Sequence, residues 1–395
     1  MKLGVFGGTF NPPHVGHIQA AKAAIEQLGL TKLFVIPSGV PPHKALPSGS
    51  PSAAIRLKLT HKAFSDVPRA KVLFIESLQQ QPAYTIDSIE TIKLFNPDAE
   101  LFLILGADMF LSIETWKDSE RLLGLVTLAV LSRNANDTGK ITDFMQDLQR
   151  RCGVQAVIID NPVVEISSSR LRETLPERGG VQYLTDPCYS YIIKHRIYGA
   201  KPDWGWLRAR AHSMLDPSRV PHVQGCEEEA PRLAKRWGVD PDDAREAAIL
   251  HDITKRLPTS KHLKILELHD IMFGDLENSN EKLLHPITGA LLAKTEFGVS
   301  DDVSEAIKWH TTARRDMTAL EKVIYLADYI EPRRKFAGVD ILRELAYNDL
   351  DEAMIYGLEM TIADIMSRSI TPNEASLDAL NDLRSQKGQT NDITG

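Results

Sequence analysis

The sequence predicts two unlike halves: a parallel α/β sheet with helices on both faces, then an all-α domain. Three observations carry this. Short apolar runs alternate with helical patterns up to about residue 160, and then the strands stop. Helical periodicity alone continues to about residue 368. At 395 residues the chain is also too long for one ordinary core. The pattern breaks at Ala200-Lys201-Pro202-Asp203.

The expected strands are residues 3–6, 33–36, 72–75, 101–105, 125–131 and 156–159. The expected helices between them are 18–28, 53–64, 85–95 and 141–151, with a loop at 134–140. After the break, helices are expected at 204–215 and 375–384, and a disordered end from 385. The domains are therefore expected at 1–200 and 207–370, with a linker at 201–206 and a polar tail at 371–395.

Composition narrows the partners. There are 46 Lys and Arg against 53 Asp and Glu, a formal charge of -7. That balance argues against a general nucleic-acid binder but leaves nucleotides, which need only local cations. No apolar run approaches the ~18 residues of a membrane span, and no signal peptide is expected. Cys152, Cys188 and Cys226 are odd in number and irregularly spaced, which is neither a disulfide framework nor a zinc pattern. A reduced, cytoplasmic protein is expected.

The densest signal is residues 1–17, MKLGVFGGTFNPPHVGH. Gly7 and Gly8 follow a strand, and without Cβ atoms they admit a ligand close to the backbone. Thr9 and Asn11 offer short polar groups. His14 and His17 stand at the start of a helix, whose free N–H groups and dipole suit phosphate. In such sheets ligands lie beyond the carboxyl ends of the strands. Further candidates follow the later strands: Lys44 in PSGVPPHK, Thr85 in PAYTID as an expected N-cap, Gly106 and Asp108 in LGADMF, and Trp116. In ISSSRLR, Arg172 sits early in a helix, where a cation opposes the dipole and is better explained by a bound anion.

GGTFNPPHVGH, with its HxGH element His14-Val15-Gly16-His17, resembles the nucleotidylyltransferase superfamily. Together with the other stretches and the tail from Tyr183 to Gly199, residues 1–199 resemble the bacterial nicotinate-mononucleotide adenylyltransferases. The resemblance implies a Rossmann-like fold that joins ATP, carrying Mg²⁺, to nicotinate mononucleotide and releases pyrophosphate. It implies that His14, His17, Ser168 and Arg172 contact the ATP phosphates, with Gly7, Gly8, Thr9, Phe10 and Gly106 around the nucleotide. It gives Lys44 to the phosphate of the mononucleotide, Thr85 and Trp116 to the nicotinate, and Asp108 to the ribose. Ser169 stands where threonine is usual and keeps the hydroxyl. Another member of the superfamily, such as one adenylylating phosphopantetheine, is the alternative.

In the second half His222, His251, Asp252, His285, His310 and Asp328 form a series. Imidazole with carboxylate suits divalent transition metals, and six candidate ligands favour two ions. His251 and Asp252 are expected inside an apolar helix at 247–253, where burying both without a partner is costly. The order, with the stretches LHDITK, LHPITGA, AIKWHTT and YLADYIEPRR, resembles the HD-domain phosphohydrolases. More closely, residues 207–368 resemble the bacterial symmetrical diadenosine tetraphosphate hydrolases. The resemblance implies metal-assisted hydrolysis of diadenosine tetraphosphate to two ADP. It suggests iron, while the residues leave manganese, cobalt and nickel open. Lys255, expected one turn after His251 on the same helix, is a candidate to neutralise phosphate, with Arg314, Arg333 and Arg334 weaker ones. Ala313 replaces a glycine common in the family and is expected to stiffen the loop after it. A different nucleotide phosphohydrolase, or a regulatory module without turnover, are the alternatives. The expected partners are ATP, nicotinate mononucleotide and diadenosine tetraphosphate, with no nucleic acid and no membrane; a homodimer is compatible with this.

Overall fold

The computed structural model describes residues 1–40, 45–76, 84–132, 135–162, 164–271 and 283–392. The chain divides into two compact units, Met1–Asp203 and Trp204–Gly395.

The first unit is built on a sheet of six strands among the described residues: β1 (Lys2–Gly8), β2 (Lys32–Pro37), β3 (Ala70–Val72), β4 (Glu100–Gly106), β5 (Thr127–Leu131) and β6 (Ala156–Ile159). The order is β3-β2-β1-β4-β5-β6, and every pair is parallel. Strands buried on both faces need apolar side chains in both directions, which is why β1 and β4 read as nearly unbroken apolar runs. Gly4 is the exception in β1, because a Cβ there would lie 2.6 Å from Leu30 Cδ1. The strand order reverses between β1 and β4, so a crevice opens at their carboxyl ends.

Several elements differ from expectation. The edge strand β3 comes earlier than 72–75: it pairs only with Leu33–Val35, and after Leu73 N donates to Val35 O (2.9 Å) the ladder ends. The helix Ala135–Cys152 takes in residues 135–140, expected as a loop, to bury Ile141 and Leu148 on one face. Thr85 is the first residue of its helix rather than the N-cap, which is Tyr84.

The second unit is helical. Its helices Val220–Arg236, Pro241–Leu250, Leu284–Phe297, Asp301–Trp309 and Ala319–Ile330 surround a core that includes Ile249, Leu250, Ile307, Val323 and Leu326. The helix expected at 247–253 stops at Leu250. Among the described residues the expected tail is helical instead: one helix, Glu374–Asp392, buries Ala379, Leu380 and Leu383 in this core. Ser376 Oγ also donates to Thr312 O (2.7 Å). No helix among the described residues is long and apolar enough to cross a membrane.

Candidate active sites

The crevice of the first unit holds two adjoining recesses of about 470 and 490 Å³. They share Gly7, Gly8, His17, Gly106, Met109 and Ser168, so the ends of β1 and β4 form their common wall. His14 precedes the helix Val15–Gln27 as its N-cap, and its ring lies against that of His17, tilted by 43° with centroids 3.8 Å apart. His14 N donates to His17 Nδ1 (3.1 Å). An accepting Nδ1 places the His17 ring proton on Nε2. A Cβ at Gly16 would be 3.0 Å from His14 Nδ1, so any side chain there would crowd the His14 ring.

The loop after β1 is tied to the helix Ser168–Thr174. Arg172 Nη1 donates to Asn11 O (2.7 Å), Arg172 Nη2 to Ser169 Oγ (3.1 Å), and Ser168 Oγ to Pro12 O (2.8 Å). Thr9, Thr85, Trp116, Ser169 and Arg172 all line the first recess, and His14 the second. Phe10 also lines the first recess, though its ring is 2% exposed and packs edge-on against His17 at 5.1 Å. Asp108 is exposed on the short helix Ala107–Leu111 and lines neither recess. Lys44 lies outside the described residues.

Arg56 and Glu76 escaped the sequence reading, and Asn11, expected there as a short polar group, gains its partners here. Arg56 is 1% exposed and donates to the carbonyls of Thr9 (3.0 Å), Ser38 (2.6 Å) and Gly39 (2.5 Å), bracing the loops after β1 and β2. Asn11 accepts from Tyr198 Oη and donates to Ser50 Oγ, both at 2.8 Å. Glu76 lines the first recess and accepts from Ser88 Oγ (2.9 Å); burial pushes its carboxyl above the usual range. Arg56 and Glu76 lie in ordinary amphipathic surroundings, and nothing in their spacing marks them.

In the second unit the six candidate ligands converge from five helices. His222 lies near the start of Val220–Arg236 and His285 near the start of Leu284–Phe297, while Asp328 lies in Ala319–Ile330. His251 and His310 are C-caps of Pro241–Leu250 and Asp301–Trp309. Each turns its ring back on its own helix: His251 Nδ1 is 2.7 Å from Ala248 O, and His310 Nδ1 is 2.6 Å from Ile307 O. Those carbonyls need a donor, so the proton sits on Nδ1 and the Nε2 lone pair faces inward. Lys255 therefore follows His251 on a turn rather than a helix, and its Nζ reaches Asp252 Oδ1 at 3.0 Å.

Asp252 is fully buried at the centre. The Nε2 atoms of His251, His285 and His310 lie 3.4, 3.3 and 3.7 Å from its oxygens. Nε2 of His251 and of His310 makes no hydrogen bond. Lone pairs aimed at a buried carboxylate repel it unless a cation lies between them, so the donor set fits divalent metal ions. Burial lowers His310, and it lowers His285 to about 4, so these rings stay neutral. Asp328 is likewise buried and is held low by His222, His251 and Arg334.

Ligand atoms of His251, Asp252 and His310 form one compact group within 4.8 Å, and those of His222, Cys226, His251 and Asp328 form another. The sequence reading set Cys226 aside because the three cysteines are odd in number and irregularly spaced. It also missed Glu331, which is 2% exposed with Oε1 3.2 Å from His222 Nδ1, and Arg219, whose Nε donates to Asp252 Oδ2 at 2.6 Å. Of the further cations, Arg314 is bound to Glu321 (2.9 Å) and Arg334 to Asp328 (2.6 Å).

Comparison with known proteins agrees with this division. The cytidylyltransferase-like family profile matches residues 5–174, and the HD domain profile matches residues 219–333. A probable nicotinate-nucleotide adenylyltransferase of Carboxydothermus hydrogenoformans is 34% identical over 198 residues, 50% of this chain and 98% of that protein. The symmetrical bis(5'-nucleosyl)-tetraphosphatase of Bacillus subtilis is 42% identical over 156 residues, 39% of this chain and 83% of that protein. The chain belongs to both families, one in each half. A Mycoplasma genitalium protein named as a probable nicotinate-nucleotide adenylyltransferase/Ap4A hydrolase matches at 28% identity over 91% of this chain and 97% of its own. The nicotinate-nucleotide adenylyltransferase half carries the HxGH cradle, and the tetraphosphatase half carries the imidazole–carboxylate centre.

Proposed function

We propose that the chain is a bifunctional cytoplasmic enzyme. Its first unit transfers the adenylyl group of ATP to nicotinate mononucleotide. Its second hydrolyses diadenosine tetraphosphate symmetrically, giving two ADP. The observation that carries the first assignment is the His14–His17 pair at the strand-order reversal, with Arg172 held against Asn11. The second rests on the Nε2 lone pairs turned toward Asp252.

In the first unit a phosphate oxygen of the mononucleotide attacks the α-phosphorus of ATP, and pyrophosphate leaves in line. The attacking oxygen is already ionised, so no protein base is needed. The protein aligns two anions and meets the charge growing on the bridging oxygen. His17, with its proton on Nε2, and His14 donate to the phosphates, and Arg172 and Ser168 hold the leaving pyrophosphate. Mg²⁺ arrives with ATP. Gly7, Gly8, Thr9, Phe10 and Gly106 shape the nucleotide wall. Trp116 and Thr85 take the pyridine ring, Asp108 the ribose, and Lys44 the phosphate of the mononucleotide.

In the second unit His222, His251, Asp252, His285, His310 and Asp328 hold two divalent ions, which we assign as iron, with manganese, cobalt or nickel as substitutes. Such ions, when bound, acidify water and offset charge on phosphate oxygens. Asp252 would ligate beside His251 and His310, and Lys255 offers its ammonium to the polyphosphate chain at the edge of the site.

Product analysis tests both assignments. With ferrous iron or manganese, diadenosine tetraphosphate should yield ADP alone; AMP with ATP would overturn the symmetrical mode. With ATP, nicotinate mononucleotide should outcompete phosphopantetheine; the reverse preference would overturn the first assignment.

A further inference from the structure

We infer that Cys226 is a sulfur ligand of the metal centre, so that one of its two positions has a mixed nitrogen, oxygen and sulfur donor set. This rests on the metal-centre reading above and adds a donor to it. Cys226 follows His222 by four residues on the helix Val220–Arg236, so both side chains leave the same face. Cys226 is 1% exposed, and its Sγ lies 3.5 Å from His222 Nε2. Ligand atoms of His222, Cys226, His251 and Asp328 all lie within 4.8 Å of one another. An ion about 2.1 Å from nitrogen and about 2.3 Å from sulfur spans a gap of 3.5 Å at an angle of about 105°, close to tetrahedral.

The other group, His251, Asp252 and His310, contains no sulfur. The two positions therefore differ in softness, and the one beside Cys226 favours ions that accept thiolate. Binding exchanges the S–H bond for a sulfur–metal bond and releases one proton to solvent, with no change of oxidation state.

Cobalt(II) substitution of the full-length chain tests this. The spectrum is read beside Cys226→Val, which keeps an apolar side chain in the buried position, and Cys226→Ser. A double variant Cys152→Ser, Cys188→Ser serves as control, and circular dichroism checks that each variant is folded. We expect a near-ultraviolet thiolate-to-cobalt charge-transfer band in the parent and in the control. Both Cys226 variants should lose it while keeping the visible cobalt bands. Visible bands without the charge-transfer band in the parent, or a band that survives Cys226→Val, would remove the sulfur and leave the metal centre standing. A parent that takes up no cobalt would overturn the metal-centre reading itself.

Discussion

Glu331 Oε1 lies 3.2 Å from His222 Nδ1, and this pairing turns the opposite ring nitrogen toward Asp328, whose Oδ1 is 2.9 Å from Nε2. Glu331 is held in turn by the Arg333 backbone N–H (2.7 Å). Its carboxylate occupies the space beside Gly225, where a Cβ would collide with it. The HD half thus orients a histidine through a buried carboxylate, a device that raises ligand basicity and fixes the tautomer.

Glu331→Gln should weaken metal binding by about 10- to 100-fold, because it removes that charge from behind the ring. Gly225→Ala should act in the same direction by displacing Glu331. Metal titration of the purified variants checks both, and unchanged affinity in Glu331→Gln would remove the orienting role.

The metal-stripped protein should lose stability as the pH falls. His285, lowered by burial to about 4, stays neutral in the folded chain, whereas the unfolded chain takes up the proton near 6.5. Its contribution is fully present above 6.5 and disappears as the pH falls toward 4. His310 is lowered in the same direction; for His251 burial is outweighed by Asp252 and the shift is upward. The His285 share of this loss is on the order of 1 kcal/mol or more, several degrees in Tm. Thermal unfolding at pH 7 and 4.5 measures this, and His285→Gln should flatten the slope.

Arg56→Met should destabilise the first unit by about 3–5 kcal/mol, since three loop carbonyls lose a buried charged donor. Adenylyl transfer should fall with it, because the same loops carry Thr9 and Ser38 into the recess. A melting temperature within a degree or two of the parent would show that the loops hold without this brace.

Ala313 is fully buried with φ 59°, a left-handed backbone that favours glycine. The expected stiffening by the missing glycine is thus a strained residue at position 313 itself. Ala313→Gly relieves about 1–2 kcal/mol of strain. It also gives up about 0.8 kcal/mol of methyl burial and about 0.5–1 kcal/mol of backbone entropy. The effects nearly cancel, so the melting temperature should move by only about 2–4 °C. Ala313→Val, branched at Cβ in the same backbone state, should unfold far earlier.

The α/β alternation and the all-helical character of the second half were legible because burial on both sheet faces and on helix faces leaves a periodic trace. The six imidazole and carboxylate residues could be named because their side-chain chemistry is unusual in a core. What the sequence concealed was of two kinds. His251 and His310 cap helices rather than lie within them, since their Nδ1 atoms satisfy terminal carbonyls that no local pattern marks. Arg56 and Glu331 find their partners through folding, at distances along the chain that spacing does not reveal. The C-terminal helix was underread because only Ala379, Leu380 and Leu383 of a polar stretch reach the core.

The central claim is that one chain carries two separable chemistries. Its most direct test is to assay adenylyl transfer and diadenosine tetraphosphate hydrolysis on the same preparations of parent, His17→Ala and Asp252→Asn. His17→Ala should lower adenylyl transfer by about 10²-fold or more and leave hydrolysis within about twofold. Asp252→Asn should do the reverse, abolishing hydrolysis and sparing transfer. Loss of both activities in either single variant, or hydrolysis undiminished in Asp252→Asn, would contradict the account.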